Sequence, residues 1–206
     1  MIGGIAGSAV RDNLKILTDF GDTGVLLPLS IVVFIWLLAT STVRTALFWL
    51  LILVLSNALL GLLKVYFLSC PAGAALHSPS GHAGFAIFVY GSLTAAATLA
   101  SGRRWLRAAI VALGTILTAG IATSRVILGH HNILEILIGA VVGGIALAIF
   151  VAAYRHVRTR RGPVILLGLA ALIVAVIFHG ERVSVENYLR HLGWEMGRRG
   201  ESCGYR

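Results

Sequence analysis

Charge is scarce in this chain. Only 12% of its 206 residues are Asp, Glu, Lys or Arg, about half the share of a soluble domain. Acidic residues are the rarer kind, 8 against 17 basic ones. Cysteine, proline and methionine are also few, at 2, 4 and 2 residues. So little cysteine excludes a disulfide scaffold. So little proline, with no low-complexity segment, excludes an extended linker protein. No repeat of 20–50 residues is visible, which excludes a solenoid. No basic stretch followed by an early apolar run stands at the N-terminus, so the sequence shows no secretory signal.

Apolar residues fill the space that charge leaves, at 58% of the chain. A soluble core of this size could not hold them, and a bilayer is the solvent that can. In a bilayer each span must be a helix or part of a closed barrel. The apolar runs are long and do not alternate, so helices are predicted. The expected fold is all-α: a polytopic membrane bundle of about six transmembrane helices, over 24–39, 46–63, 83–100, 106–123, 133–153 and 164–178. The connections are short, so residues 1–206 read as a single domain. The segments 1–22 and 183–199 have amphipathic spacing that suits interfacial helices, with a frayed tail as the alternative.

An even number of spans puts both termini on one side. Arg44, Arg103, Arg104, Arg107, Arg155, Arg158, Arg160 and Arg161 then lie on the other. The positive-inside rule makes those loops cytoplasmic and the opposite loops external. This fits a bacterial inner membrane protein with its site toward the periplasm. The net charge of +9 is read as this topology signal and calls for no nucleic acid partner. Cys70 and Cys203 fall on the external side, where they either pair or remain thiols.

The polar residues gather at two mouths of the apolar runs. Pro79-Ser80-Gly81-His82 opens the third span. The first amides of a helix lack internal partners and attract anions. Gly81 lets an anion approach the backbone, and His82 stands where it can donate a proton. The alternative is a capping serine beside a chance histidine. The second run is Ser124-Arg125, then His130, His131 and Glu135. Arg125 offers a planar fork for phosphate oxygens. His131 and Glu135 are four apart and share a helix face, where a carboxylate can hold the imidazole in one tautomer. Glu135 also lies in an apolar run, where an ionisable group is costly. The alternative is interfacial anchoring. Lys64, at the end of the second span, emerges on the same side. Lys64, Ser80, Gly81, His82, Arg125, His131 and Glu135 are therefore expected to converge on a phosphate. They do not read as a metal site: His130 and His131 point apart, and no second carboxylate is near them.

These residues resemble the signatures of the type 2 phosphatidic acid phosphatase superfamily, integral membrane lipid phosphatases related in core to acid phosphatases and vanadium haloperoxidases. The resemblance covers roughly residues 45–155. Pro79-Ser80-Gly81-His82 matches the second signature. Ser124, Arg125, His131 and Glu135 match the third, with Glu in place of the usual Asp. The first, Lys, six residues, Arg-Pro, is altered: Lys64 is present, but Pro71 comes one residue early and Cys70 precedes it in place of Arg.

The resemblance implies a metal-independent phosphatase with no cofactor. In it His131 attacks phosphorus and forms a phosphohistidine, Glu135 orients His131, and His82 protonates the leaving group. Lys64, Ser80, Gly81 and Arg125 hold the phosphate oxygens. The expected substrate is a lipid phosphomonoester or diphosphate taken from the bilayer. A polyprenyl diphosphate such as undecaprenyl diphosphate comes first, with phosphatidylglycerol phosphate, phosphatidic acid and lipid A phosphate as rivals. Two other readings stay open: a lipid-phosphate binder or translocator with impaired turnover, and a phosphoryl transferase to an acceptor other than water.

Three further features carry expectations. Asp19 and Asp22 are read as caps of the first span, with the site entrance as the alternative. Asn57 is read as an interhelical hydrogen bond, and Gly139 and Gly143 as a close-packing face within the bundle.

Overall fold

The computed structural model describes residues 2–69, 78–157 and 164–181, and Leu189, His191, Leu192 and Glu195 beyond them. Of residues 2–10 only the backbone is described. Among the described residues the helices run in order α1 (Ile2–Asp19), α2 (Thr23–Thr40), α3 (Val43–Ser69), α4 (Gly81–Ala100), α5 (Arg104–Ile127), α6 (Ile133–Tyr154) and α7 (Val164–Ile177). No strand occurs among the described residues.

Among the described residues, five helical stretches are long and apolar enough to cross a membrane, namely Arg11–Thr40, Val43–Ser69, Gly81–Ala100, Arg104–Ile127 and Ile133–Tyr154. The chain is thus a helical membrane bundle. The expected sixth span is the exception. At 14 residues, α7 is about 21 Å long, short of a hydrocarbon core of about 30 Å.

Helix α4 is the centre of the bundle and packs against α2, α3, α5 and α6. Its sequence explains this position. Small residues such as Gly84, Gly91, Ala95, Ala96 and Ala97 let neighbouring helices approach closely, which is how membrane helices gain packing without a hydrophobic driving force. The closest approach is to α6. A Cβ on Gly139 would strike the Ser80 carbonyl, and one on Gly143 would strike the backbone of Gly84. The small-residue face is therefore internal packing, as expected.

The rest of α6 follows the same logic. Gly139, Gly143, Ala146, Phe150 and Tyr154 are buried, whereas Leu137, Val141, Ile145 and Ile149 are more than half exposed. The larger aliphatic side chains face outward, where lipid would lie. Away from the site, Trp49 stacks on Phe88 at 5.6 Å, and Phe150 stacks on Tyr154 at 5.1 Å. This aromatic column ties α3, α4 and α6 together.

At the other end, the start of α2, the end of α3, the start of α4, the end of α5 and the start of α6 meet. The turn between α1 and α2 is fastened there. The Tyr90 hydroxyl of α4 donates to the Phe20 carbonyl at 2.8 Å, and Gly21 sits against Ile121 of α5 with no room for a side chain. Helix α1 falls within the amphipathic segment 1–22 and packs along α5. Asn57 departs from expectation. Its amide donates to the Leu53 carbonyl of its own helix at 2.9 Å, and its side chain lines a groove rather than tying α3 to a neighbour.

Candidate active site

The site is built from two helix starts pressed together. Ser80 caps α4, its hydroxyl accepting from the Ala83 amide at 3.4 Å. Asn132 caps α6, its side chain accepting from the Glu135 amide at 2.9 Å. Glu135 returns the bond, its Oε2 accepting from the Asn132 amide at 3.2 Å. This reciprocal pair is a capping box. The signal lay in the sequence as Asn132-Ile-Leu-Glu135, three residues apart, and pattern reading on the histidine passed over it.

Glu135 also joins the two helix starts. Its Oε1 accepts from the Ser78 amide at 3.0 Å, and its backbone carbonyl accepts from the Ser80 amide at 2.9 Å. Its Oε2 lies 2.8 Å from His131 Nδ1. One buried carboxylate, 5% exposed, thus fixes the His131 ring, the first turn of α6 and the segment before α4.

With Nδ1 held by Glu135, the free nitrogen of His131 is Nε2. Burial holds His131 below the ordinary histidine range, and the charges of Arg125 and Lys64 push the same way. The Glu135 bond opposes them. The balance favours a neutral imidazole, the form with a lone pair to give. Arg125 and Lys64 are themselves 7% and 5% exposed. Both sit close enough to act on His131.

His82 is the second residue of α4 and faces the same space. Its Nδ1 lies 3.4 Å from Arg125 Nη2. Its Nε2 lies 3.3 Å from Asp22 Oδ2. Asp22 caps α2, its Oδ1 accepting from the Gly24 amide at 3.1 Å. Both expectations for Asp22, cap and site entrance, therefore hold for one residue. Around Gly81 there is open space within 4 Å of where a Cβ would stand. Ser80, by contrast, is fully buried. It shapes the helix start, and no face of it opens to a ligand.

Lys64, Gly81 and His82 line one end of a groove of about 320 Å³. The groove continues between α2 and α3 past Leu60, Asn57, Leu53 and Leu27, and Leu189 also borders it. From Lys64 to Leu53 it follows α3 for about 16 Å. Arg11 and Lys15 do not enter this groove. They line a separate cavity with Thr18 and His130, so Arg11 does not take the place of the arginine missing from the first signature. Cys70, Pro71, Cys203 and the tail positions Val185, Tyr188 and Met196 lie outside the described residues.

All seven side chains or backbone groups expected at the site occupy the same end of the bundle. His82, Arg125, His131 and Glu135 are linked in it by direct bonds or charge. The arrangement offers one neutral histidine backed by a carboxylate, a second histidine opposite, and two buried cations. No curated protein and no solved structure matches the chain. Residues 67–160 match the PAP2 superfamily, and this stretch holds the second and third signatures whole. Residues 67–160 are thus similar to the PAP2 superfamily, a family of phosphoester hydrolases, and they lie within a helical membrane protein.

Proposed function

We propose that this protein removes a phosphoryl group from a lipid phosphate at the membrane surface, through a phosphohistidine on His131. The observation that carries this reading is the meeting of a polar site with a largely apolar groove. Lys64 and His82 line one end of the groove, Arg125 adjoins His82 and His131 adjoins Lys64 and Arg125, and most of the remaining walls are apolar. A phosphate held at the mouth leaves its chain in the groove, which opens sideways between α2 and α3.

The chemistry follows from the hydrogen bonds. His131 donates its Nδ1 proton to Glu135, so Nε2 attacks phosphorus. The bond from phosphorus to the leaving oxygen breaks, and that oxygen takes a proton from His82. Water then attacks the phosphohistidine, His82 recovers a proton from it, and inorganic phosphate departs. Charge on the three equatorial oxygens is balanced by Lys64, Arg125 and the open amide at Gly81. Preorganised donors of this kind supply much of the barrier reduction in phosphoryl transfer. Each step uses the protein's own groups and water, so the scheme calls on no metal or cofactor.

The groove does not enclose its contents, which suits a chain longer than the groove. For that reason a polyprenyl diphosphate stands first among the substrates, ahead of phosphatidylglycerol phosphate, phosphatidic acid and lipid A phosphate. The basic loops at the far end favour an outward-facing site.

The test is phosphate release by the purified protein in detergent, with a lipid phosphate panel and a metal chelator present. We expect release that survives chelation, is lost in His131→Ala, and passes through an acid-labile phosphoryl adduct. A folded protein that binds these lipids but releases nothing would overturn hydrolysis in favour of binding or translocation. Phosphate transferred to an added alcohol in preference to water would point to a transferase.

A further inference from the structure

Asp22 lies well before the segment that carries the family signatures, on a different helix from every other site residue. Its carboxylate nevertheless meets His82, at 3.3 Å from Oδ2 to Nε2. Both groups are largely buried, at 13% and 17% side-chain exposure. The two carboxylate oxygens divide their work: Oδ1 caps α2 and Oδ2 faces the histidine.

The other side of the ring fixes the proton. Arg125 Nη2 stands 3.4 Å from His82 Nδ1. A guanidinium has donors and no acceptor, so Nδ1 is the accepting nitrogen and the ring proton is on Nε2. That proton points at Asp22. The opposite nitrogen, Nδ1, is thereby directed at Arg125, the arginine assigned to the phosphate.

We propose that Asp22 is the positioning residue of the proton donor, forming a second carboxylate–histidine pair opposite His131–Glu135. This inference rests on the phosphatase reading above. When His82 carries both protons, Asp22 accepts from Nε2–H and balances the imidazolium. The substrate phosphate draws Arg125 off Nδ1, and Nδ1–H then faces the leaving oxygen. As the phosphorus–oxygen bond breaks, that proton passes to the oxygen, and His82 is left neutral with its Nε2 proton still on Asp22. In the second half the neutral Nδ1 takes a proton from the attacking water, phosphorus–nitrogen cleavage frees His131, and the pair is restored.

The frame around Asp22 supports a fixed geometry. The turn that presents it is tied to α4, the helix of His82, through Tyr90 and Phe20. It is also seated on α5, the helix of Arg125, through Gly21 and Ile121.

Asp22→Asn and Asp22→Ser separate this role from the cap, because Asn and Ser cap helices about as well as Asp. In Asp22→Asn, an amide capping through its oxygen turns its NH2 toward Nε2–H, so the ring loses its acceptor while Arg125 still holds Nδ1. Asp22→Ser keeps the cap and falls short of the ring. The assay compares kcat/KM for a short-chain alkyl phosphate with that for 4-nitrophenyl phosphate, whose leaving group departs without a proton. General acid catalysis contributes about 10²–10⁴-fold. Both variants should lose about 10- to 100-fold on the alkyl ester and stay within about threefold of the parent protein on the aryl ester. An equal loss on both esters would mean a structural role and overturn the proposal, as would full activity on both.

A second readout needs no turnover. Nitrogen-15 and proton spectra of the histidine-labelled protein should show His82 protonated on Nε2, with that proton shifted downfield by its hydrogen bond, and the downfield shift lost in Asp22→Asn. A neutral ring protonated on Nδ1 in the parent protein, or a shift unchanged in the variant, would also overturn the proposal. If the unaltered protein hydrolyses neither ester while the loss of that shift is seen, the phosphatase reading fails and the Asp22–His82 pairing stands.

Discussion

Glu135 stands where the family usually has Asp, so Glu135→Asp is the substitution most expected to be harmless. The structure predicts the opposite. Shortening the side chain withdraws the carboxylate by about 1.5 Å, one carbon–carbon bond. At present Oε2 reaches both His131 Nδ1, at 2.8 Å, and the Asn132 amide, at 3.2 Å, while Oε1 reaches the Ser78 amide at 3.0 Å. An aspartate cannot keep all three, because the α6 backbone cannot advance to compensate. Gly139, one turn on, already lies against the Ser80 carbonyl, and the Glu135 carbonyl is bound to the Ser80 amide.

Two losses follow. A buried amide without its acceptor costs about 1–3 kcal/mol, which should lower the melting temperature of the purified protein. A nucleophile displaced by about 1 Å can lose about 10²-fold in rate. We therefore expect Glu135→Asp to cut kcat for phosphate release by about 10²-fold with KM nearly unchanged. Glu135→Gln should be worse, about 10⁴-fold, because any orientation of its NH2 opposes a donor. The assay is phosphate release under saturating substrate, paired with thermal unfolding followed by intrinsic fluorescence. Activity in Glu135→Asp equal to the parent protein would refute the argument that the capping box sets the reach of this carboxylate.

Other outcomes follow from the same geometry. Gly139→Ala should destabilise the fold by about 1–3 kcal/mol, since its Cβ meets backbone atoms of Ser80 and neither helix can yield cheaply; thermal unfolding measures it. The acid limb of kcat/KM should lie below the ordinary histidine value of 6.5, because burial lowers His131 and only its neutral form attacks. Folding stability should show the matching sign. The native state binds fewer protons than the unfolded chain between the lowered value and 6.5, so stability is full above 6.5 and falls as pH drops through that window. His131→Asn should abolish this slope in a denaturation series run against pH. Finally, Val54→Trp should obstruct the groove, raising KM for long-chain lipid phosphates at least about tenfold, roughly the binding worth of 1.4 kcal/mol, while leaving a short-chain ester unaffected.

Much of this was legible in sequence because the signals are local. The spans declare themselves by uninterrupted apolar length. The His131–Glu135 pair follows from a four-residue spacing on one helix face. The meeting of Ser80-Gly81-His82 with Arg125 follows from counting spans. What was not legible depends on tertiary distance. Nothing near Asp22 indicates that a histidine sixty residues away will face it. Ser78 contributes only its backbone amide, which every residue possesses. Asn57 has the composition of an interhelical bond, yet its helix supplied a nearer carbonyl. The shortness of α7 was present in the sequence, but apolar character alone does not measure length against a bilayer.

The glycine contact between α4 and α6 decides which parts of this protein can move. With Ser80 bonded to Glu135 and Gly84 against Gly139 and Gly143, the helix bearing the proton donor and the helix bearing the carboxylate behave as one solid block. No lipid can enter by prising them apart. Admission must come from the opposite wall, where α2 and α3 face α4 across the groove. On the proposed reading most of the chemistry is on the stator and the choice of lipid on the rotor, with Lys64 of α3 and Asp22 before α2 reaching across to the site. Changes along α2 and α3 away from those two residues should alter the accepted chain without touching the reaction.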